Sequence, residues 1–398
     1  MKISKKMLAL LTSVVALMSA GCGSNGTASS VDSNSSETSV GGSMIENNTS
    51  VEDTLQEPEV LTEVSINVAE NIQASKQSDR VVRTMGRTFF RNGGLACDFS
   101  CTGIKFTAAC KGVVSVAFTT SANCYFTVYI DGVRVSERLL VQSKDNGKPI
   151  AVAEFEEYGE REISIVKQSQ YAMALCEINE VKLLGSFGKR PAQKERFIEF
   201  YGDSILNGSN IYMGGTSTAT SDATYAFGYL TALALNADCN IIGRGGMGLY
   251  PKDSSTDGMN EMWEYCGGTT SNAPLYDFGR TPDVVVVELG CNDVVSDRYT
   301  DARYKESIRV MVDNLRGIYG NEMKIIWCYG LNATMDEKWP LVKETLDGLN
   351  ADGNILYCLL PNASLSKAEG GDGWHPNQEM SKDIADSLTD FIEKNIYS

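Results

Sequence analysis

The sequence predicts two folded regions: an antiparallel β-sandwich of jelly-roll type over residues 64–189, then a three-layer α/β domain with a parallel sheet over 190–398. Three observations carry this expectation. From 64 to 189 apolar residues alternate with period two, and no helical period of any length appears. After 190, short apolar runs alternate with helix-length amphipathic stretches. The turns that follow several of those runs carry Gly, Ser, Asn, Asp and His instead of packing residues.

The N-terminal end is not fold. Lys2, Lys5 and Lys6 precede an apolar stretch from Met7 to Met18, too short to span a bilayer, which takes about 20 residues. Ser19-Ala20-Gly21-Cys22 comes next, and residues 1–22 resemble a bacterial lipoprotein signal. That resemblance implies cleavage before Cys22, a lipid on its sulfur, and a cell-surface or secreted, extracytoplasmic protein touching membrane only through that anchor. Residues 23–63 are Ser, Thr, Asn, Gly and Glu with little to bury, and no aromatic residue precedes Phe89. Such a segment cannot offset its ordering entropy and is expected to be a flexible linker.

Across 398 residues the net charge is −16, so no nucleic-acid partner is expected, since no basic surplus is available for phosphates. Ten cysteines lie beyond Cys22. Their spacing makes no zinc pattern, and with one histidine in the chain no metal site is expected. Export would permit disulfides, but most of these cysteines fall in apolar runs and read as small core residues.

In the first region Ile104/Phe106, Val114/Val116/Phe118, Phe126/Val128/Ile130, Val133/Val135 and Ile163/Ile165 each put apolar side chains on one face. Asp131-Gly132 between two such runs is a hairpin signal. The region reads as a buttress for the α/β domain or as a carbohydrate-contacting module.

In the second region Arg196–Tyr201 is the first strand, and a helix over Tyr225–Leu235 comes after a cap at Ser221 or Asp222. Cys239–Ile242 is a strand, and Asp283–Leu289, with four successive valines, is a strand buried on both faces. Helices are expected over Ala302–Tyr319, Glu337–Leu346 and Asn377–Ile396, and strands over Lys324–Cys328 and Ile355–Leu359. Met247–Thr281 is a long irregular loop, of the kind that shapes sites.

The strand ends carry the chemistry. Gly202-Asp-Ser204 follows the first strand, Arg244-Gly-Gly-Met-Gly248 the second, Leu289-Gly-Cys-Asn-Asp293 the third, and Asp372-Gly-Trp-His375 the last. In a parallel sheet these ends converge on one crevice. A serine hydroxyl needs an adjacent base, and His375 is the only imidazole available to Ser204. Asp372 would fix its tautomer. The backbone N–H groups of Ser204 and Gly246 and the side-chain amide of Asn292 would stabilise an oxyanion, and Asp293 would hold its turn. The α/β-hydrolase elbow does not fit, because Leu206 stands where its last Gly belongs.

These blocks resemble those of the SGNH (GDSL-type) hydrolases: Ser204 in GDS, Gly246 among the three glycines of the second block, Asn292 in GxND and His375 in DxxHP. The order of parts, with a Tyr-Phe-Thr-Val-Tyr-Ile-Asp-Gly hairpin before Phe-Ile-Glu-Phe-Tyr-Gly-Asp-Ser-Ile, is most like carbohydrate esterase family 2. The resemblance implies a two-domain, exported serine esterase, without cofactor or metal, that removes acetyl groups from polysaccharides such as xylan or mannan. Members of that family can lack the triad acid; Asp372 leads us to expect a full triad here. A lipolytic or peptidoglycan O-acetyl esterase, or a non-catalytic carbohydrate-binding protein, are the competing expectations. Trp374 beside the histidine, and Trp263 in the long loop, are candidate sugar contacts, each with core packing as its alternative.

Overall fold

The computed structural model describes residues 56–398 apart from Ser136, Ala172, 254–255, 269–272 and 364–371. The leader with Cys22, and most of the 23–63 linker, lie outside the described residues.

The first lobe contains β1 (Glu63–Asn67), α1 (Val68–Gln73), β2 (Arg83–Met85), β3 (Thr88–Arg91), β4 (Gly94–Cys97), β5 (Gly103–Thr120), β6 (Cys124–Ile130), β7 (Val133–Arg134), β8 (Leu139–Val141), β9 (Pro149–Lys167) and β10 (Cys176–Phe187). The ten strands make one hydrogen-bonded antiparallel network in the order β3-β4-β10-β5-β9-β6-β7, with β1 on β10, β2 on β5 and β8 on β6. Long β5 carries bulges and changes partner along one edge, from β2 at residues 103–105 to β10 from Ala108 on, while β9 runs along its other edge. Their alternating side chains, among them Ile104, Phe106, Val116, Phe118, Phe126 and Ile163, form a core that belongs to this lobe. The hairpin signal holds: Ile130 pairs with Val133, and Asp131 and Gly132 both take positive φ, 51° and 78°, as a type I′ turn requires. Helix α1 was not expected. It has six residues, too few for a periodic signal, and starts where Asn67 Oδ1 accepts from the Glu70 N–H at 3.0 Å.

The second lobe contains β11 (Arg196–Gly202), α2 (Phe227–Ala234), β12 (Ala237–Gly243), α3 (Met259–Met262), β13 (Val284–Glu288), α4 (Cys291–Val294), α5 (Asp301–Tyr319), β14 (Ile325–Tyr329), α6 (Ala333–Asp347), β15 (Ile355–Leu359) and α7 (Gln378–Ile392). Its sheet is wholly parallel, in the order β12-β11-β13-β14-β15. The valine run explains the layering. Val284 and Val286 face a core with Phe227 of α2 and Leu388 of α7, while Val285 and Val287 face one with Ile308 and Leu315 of α5. A strand buried on both faces needs apolar residues at every position, and β13 has them until Glu288.

The two lobes pack as one compact unit from Val60 to Ser398. The physical reason is a buried polar clasp. Arg87, between β2 and β3, reaches across the boundary and is 1% exposed; Glu199, in the middle of β11, is fully buried. Arg87 Nη2 donates to Glu199 Oε1 at 3.0 Å and to Tyr201 Oη at 2.7 Å, and Nη1 donates to the Trp263 carbonyl at 2.5 Å. Its guanidinium lies 4.1 Å from the Tyr276 ring centroid. Glu199 also accepts from Tyr201, Tyr319 and Asn240 at 3.0, 2.6 and 2.6 Å. A second contact joins Arg134 of β7 to buried Asp222 at 2.7 Å.

The ten cysteines after Cys22 are all unpaired, eight of them buried, as small apolar side chains in strands would be.

Removing one partner of a buried ion pair strands the other. Arg87→Ala is therefore expected to lower unfolding free energy by about 3–5 kcal/mol. Arg87→Met with Glu199→Gln should recover part of that loss in urea titration; a loss below about 1 kcal/mol for Arg87→Ala contradicts the clasp.

Candidate active site

Four strand-end turns meet at the C-terminal edge of the sheet. Strand β11 ends at Gly202, where a Cβ would stand 2.7 Å from both Glu288 Oε2 and Leu206 Cβ, so only glycine lets the chain turn so close to β13. The turn is fixed by two carboxyl groups: Asp203 N–H donates to Glu288 Oε2 at 3.2 Å, and Ile205 N–H to Asp203 Oδ1 at 2.9 Å. Both acids are buried. Burial, and then the neighbouring Asp203, hold the Glu288 carboxyl well above the usual carboxylate range; burial also raises Asp203. The pair therefore resists carrying two charges beneath Ser204.

Helix α7 supplies the other half. Its cap, Asn377, accepts from Met380 N–H at 2.8 Å and starts the helix two residues beyond His375. His375 Nε2 lies 2.8 Å from Ser204 Oγ and Nδ1 lies 2.7 Å from Asp372 Oδ2. Asp372 Oδ1 accepts the backbone N–H groups of Trp374 and His375 at 2.9 Å each. Burial opposes ionisation of Asp372, but the hydrogen bonds from the His375 ring and from the two backbone N–H groups outweigh it and hold the pKa at about 2. An ionised Asp372 can only accept, so Nδ1 carries the proton and Nε2 is left to accept from Ser204 O–H.

The oxyanion candidates divide. The backbone N–H groups of Ser204 and Gly246 donate to no partner among the described residues. The side chain of Asn292 differs from expectation: Nδ2 donates to Asp203 Oδ2 at 2.8 Å and to the Met247 carbonyl at 3.0 Å. The buried Asp203 carboxyl demands donors, and Asn292 and the Cys291 thiol, also at 2.8 Å, meet that demand. Asp293 holds the turn, accepting Leu249 N–H at 2.8 and 3.0 Å, and burial pushes its pKa up to about 7.

Trp374 is 51% exposed beside His375, open to a ligand. Trp263 is not: it is 7% exposed, packs 5.5 Å from Phe278 and gives its carbonyl to Arg87, so it is core.

Five supporting residues were missed. Asn210 Nδ2 donates to Asp372 Oδ2 at 3.0 Å. Gln170, from the first lobe, accepts Gly245 N–H through Oε1, and Ser100, also from that lobe, bonds Asn207, whose amide holds the Asp203 carbonyl at 2.7 Å. Buried Lys167 bonds the carbonyls of Asp98 and Gln170, at 2.8 and 3.5 Å, and so steadies both cross-lobe loops.

A parallel sheet with Ser204, Asp372 and His375 joined at its C-terminal edge is the arrangement that the resemblance to SGNH hydrolases leads one to expect, and the known proteins similar to this chain include family two carbohydrate esterases. A curated relative, the acetylxylan esterase / glucomannan deacetylase of Cellvibrio japonicus (strain Ueda107), is 26% identical over 330 residues, spanning 78% of this chain and 88% of that protein. Of solved structures, a family two carbohydrate esterase from Cellvibrio japonicus has a TM-score of 0.72 at 20% identity, spanning 84% of this chain and 98% of its own. A family two carbohydrate esterase from Clostridium thermocellum, in complex with cellohexaose, has a TM-score of 0.70 at 20% identity, spanning 79% and 99%. No protein-family profile matches the chain.

This geometry makes two outcomes testable. Gln170→Ala is expected to lower kcat for a soluble acetyl ester about 10- to 100-fold with little change in KM, a fraction of the loss of a whole oxyanion donor; an unchanged kcat contradicts the bracing. The folded pKa of Asp372, about 2, lies below its ordinary value of 3.8. Its ionised form therefore stabilises the fold above about pH 4, and this is lost as pH falls towards about 2. The thermal midpoint of Asp372→Asn should lie below the parent's near about pH 6 and converge on it in acid; a gap constant with pH contradicts the coupling.

Proposed function

We propose that this protein is a serine esterase that removes acetyl groups from a polysaccharide of the xylan or mannan type. The observation that carries the proposal is the continuous hydrogen-bonded line Ser204–His375–Asp372. In this reading Ser204 Oγ gives its proton to His375 Nε2 as it attacks the acetyl carbonyl. Asp372 stabilises the imidazolium. The developing oxyanion is met by the N–H groups of Ser204 and Gly246, worth about 2.7–4 kcal/mol each at the transition state. Asn292 joins them by exchanging its bond to the Met247 carbonyl for the substrate oxygen. The imidazolium then protonates the departing sugar oxygen, and a water deprotonated by His375 releases acetate and restores Ser204.

The relatives support the substrate class, since a curated one is named for acetylxylan and glucomannan. The bulges and register shifts in the long β5 support reading the antiparallel lobe as a jelly-roll-type sandwich. The exposed Trp374 ring offers a face for a sugar next to the scissile ester. The sequence of residues 1–63 supports an extracytoplasmic location, with lipidated Cys22 as the sole membrane contact and the linker as a tether.

Ser204→Ala is expected to reduce turnover of a chromogenic acetate at least about 10⁴-fold while leaving the fold intact. On a panel of acetylated xylan, acetylated mannan, acetylated peptidoglycan and long-chain esters, the parent should release acetate fastest from the first two. Fastest turnover of long acyl chains or of peptidoglycan overturns the substrate class, and full activity in Ser204→Ala overturns the mechanism.

A further inference from the structure

A cavity of about 400 Å³ lies between the lobes at the other end of the parallel sheet. Phe197 near the start of β11 and Ala237 at the start of β12 line it, so the seven residues of β11, about 20 Å of strand, separate it from Ser204. The segment that connects the lobes forms part of its wall, through Arg190, Gln193 and Lys194.

Its charge runs against that of the protein. The chain carries a net −16, yet this cavity is lined by five cations, Arg83, Lys105, Arg190, Lys194 and Arg280, and three acids, Asp131, Glu162 and Asp238. The acids are already engaged. Asp238 Oδ2 accepts from Arg83, from Arg280 at 2.7 Å and from Lys194 N–H at 3.1 Å. Glu162 pairs with Lys105 at 2.9 Å, and Asp131 accepts from Glu162 N–H at 2.8 Å in the hairpin. Arg190 donates only to the Val82 carbonyl, at 3.0 Å, and Lys194 Nζ only to the Ala237 carbonyl, at 3.4 Å. Neither forms an ion pair with a carboxylate among the described residues, although Asp238 lies near enough to Lys194 to pull its pKa back up in part. Burial, then Arg80 and Arg83, lower the pKa of Arg190; burial, then Lys105, lower that of Lys194. Crowding cations this way is costly unless an anion joins them.

The rest of the lining indicates what kind of anion. Tyr129, Tyr229 and Tyr276 bring aromatic surface, and Asn236 and Gln193 bring amides. Phosphate or acetate would leave most of this volume empty, whereas it lies in the range of sites that enclose small organic ligands. Aromatic faces and amides suit a sugar ring, and cations without an ion-pair partner suit a carboxylate. We propose that the cavity between the lobes binds a carboxylate-bearing saccharide, a uronic acid unit, with its carboxylate on Arg190 and Lys194. The site uses no residue of the Ser204 centre.

Calorimetric titration of the whole protein tests this, with glucuronate as probe, glucose as its neutral analogue and inorganic phosphate as the competing anion. Glucuronate should bind, glucose and phosphate at least about tenfold more weakly, and Arg190→Gln with Lys194→Gln should weaken glucuronate at least about tenfold, the scale of a lost charged hydrogen bond. The double variant should keep the parent's thermal midpoint and its turnover of a soluble acetyl ester. Glucuronate binding that is absent, matched by phosphate, or unaffected by the two substitutions overturns the proposal. Glucuronate should bind Ser204→Ala as it binds the parent, so failure of the esterase reading would leave this outcome untouched.

Discussion

The buried ion pair between Arg87 and Glu199 is the constraint on which the site depends. A guanidinium from one lobe sits inside the other with a carboxylate, two phenols and an amide around it. Neither charge is tolerable there alone, so the two lobes have little freedom to part. That rigidity is useful at the C-terminal end of β11, where the first lobe supplies Gln170 to one turn and Ser100 to another. The antiparallel lobe is thus a structural part of the catalytic edge as well as its neighbour. Of the two roles the sequence left open for it, the buttress is the one these contacts support.

The carboxyl groups at the site divide by environment. Asp372 meets four N–H donors and stays ionised, fit to orient an imidazole. Asp203 and Glu288, buried together beneath the Ser204 turn, are both pushed up, fit to fix backbone without adding two charges there. Residue type alone does not separate these roles. Burial and the number of donors do.

What was legible in the sequence is what short-range chemistry determines. The valine run gave a strand buried on both faces, Asp131-Gly132 gave its hairpin, and one Asp three residues before the sole histidine gave the half of the triad that is local. Ser204 was legible because a parallel sheet brings strand ends together whatever lies between them. The orientation of the Asn292 amide was not, because it depends on a carboxyl group 89 positions away. Nor was the burial of Trp263: a tryptophan in a loop rich in Gly and Ser looks available to a ligand until Phe278 and Arg87 close over it. Gln170 and Arg87 act across the lobe boundary, and no local pattern marks them.

The most direct measurement of the central claim is covalent labelling with a serine-directed phosphonate, read by peptide mass spectrometry. A serine polarised by His375 should take one phosphonyl group, on Ser204, with activity falling in step, and His375→Ala should label far more slowly. An unlabelled Ser204 in fully active protein, or a label carried by another serine, would contradict the account.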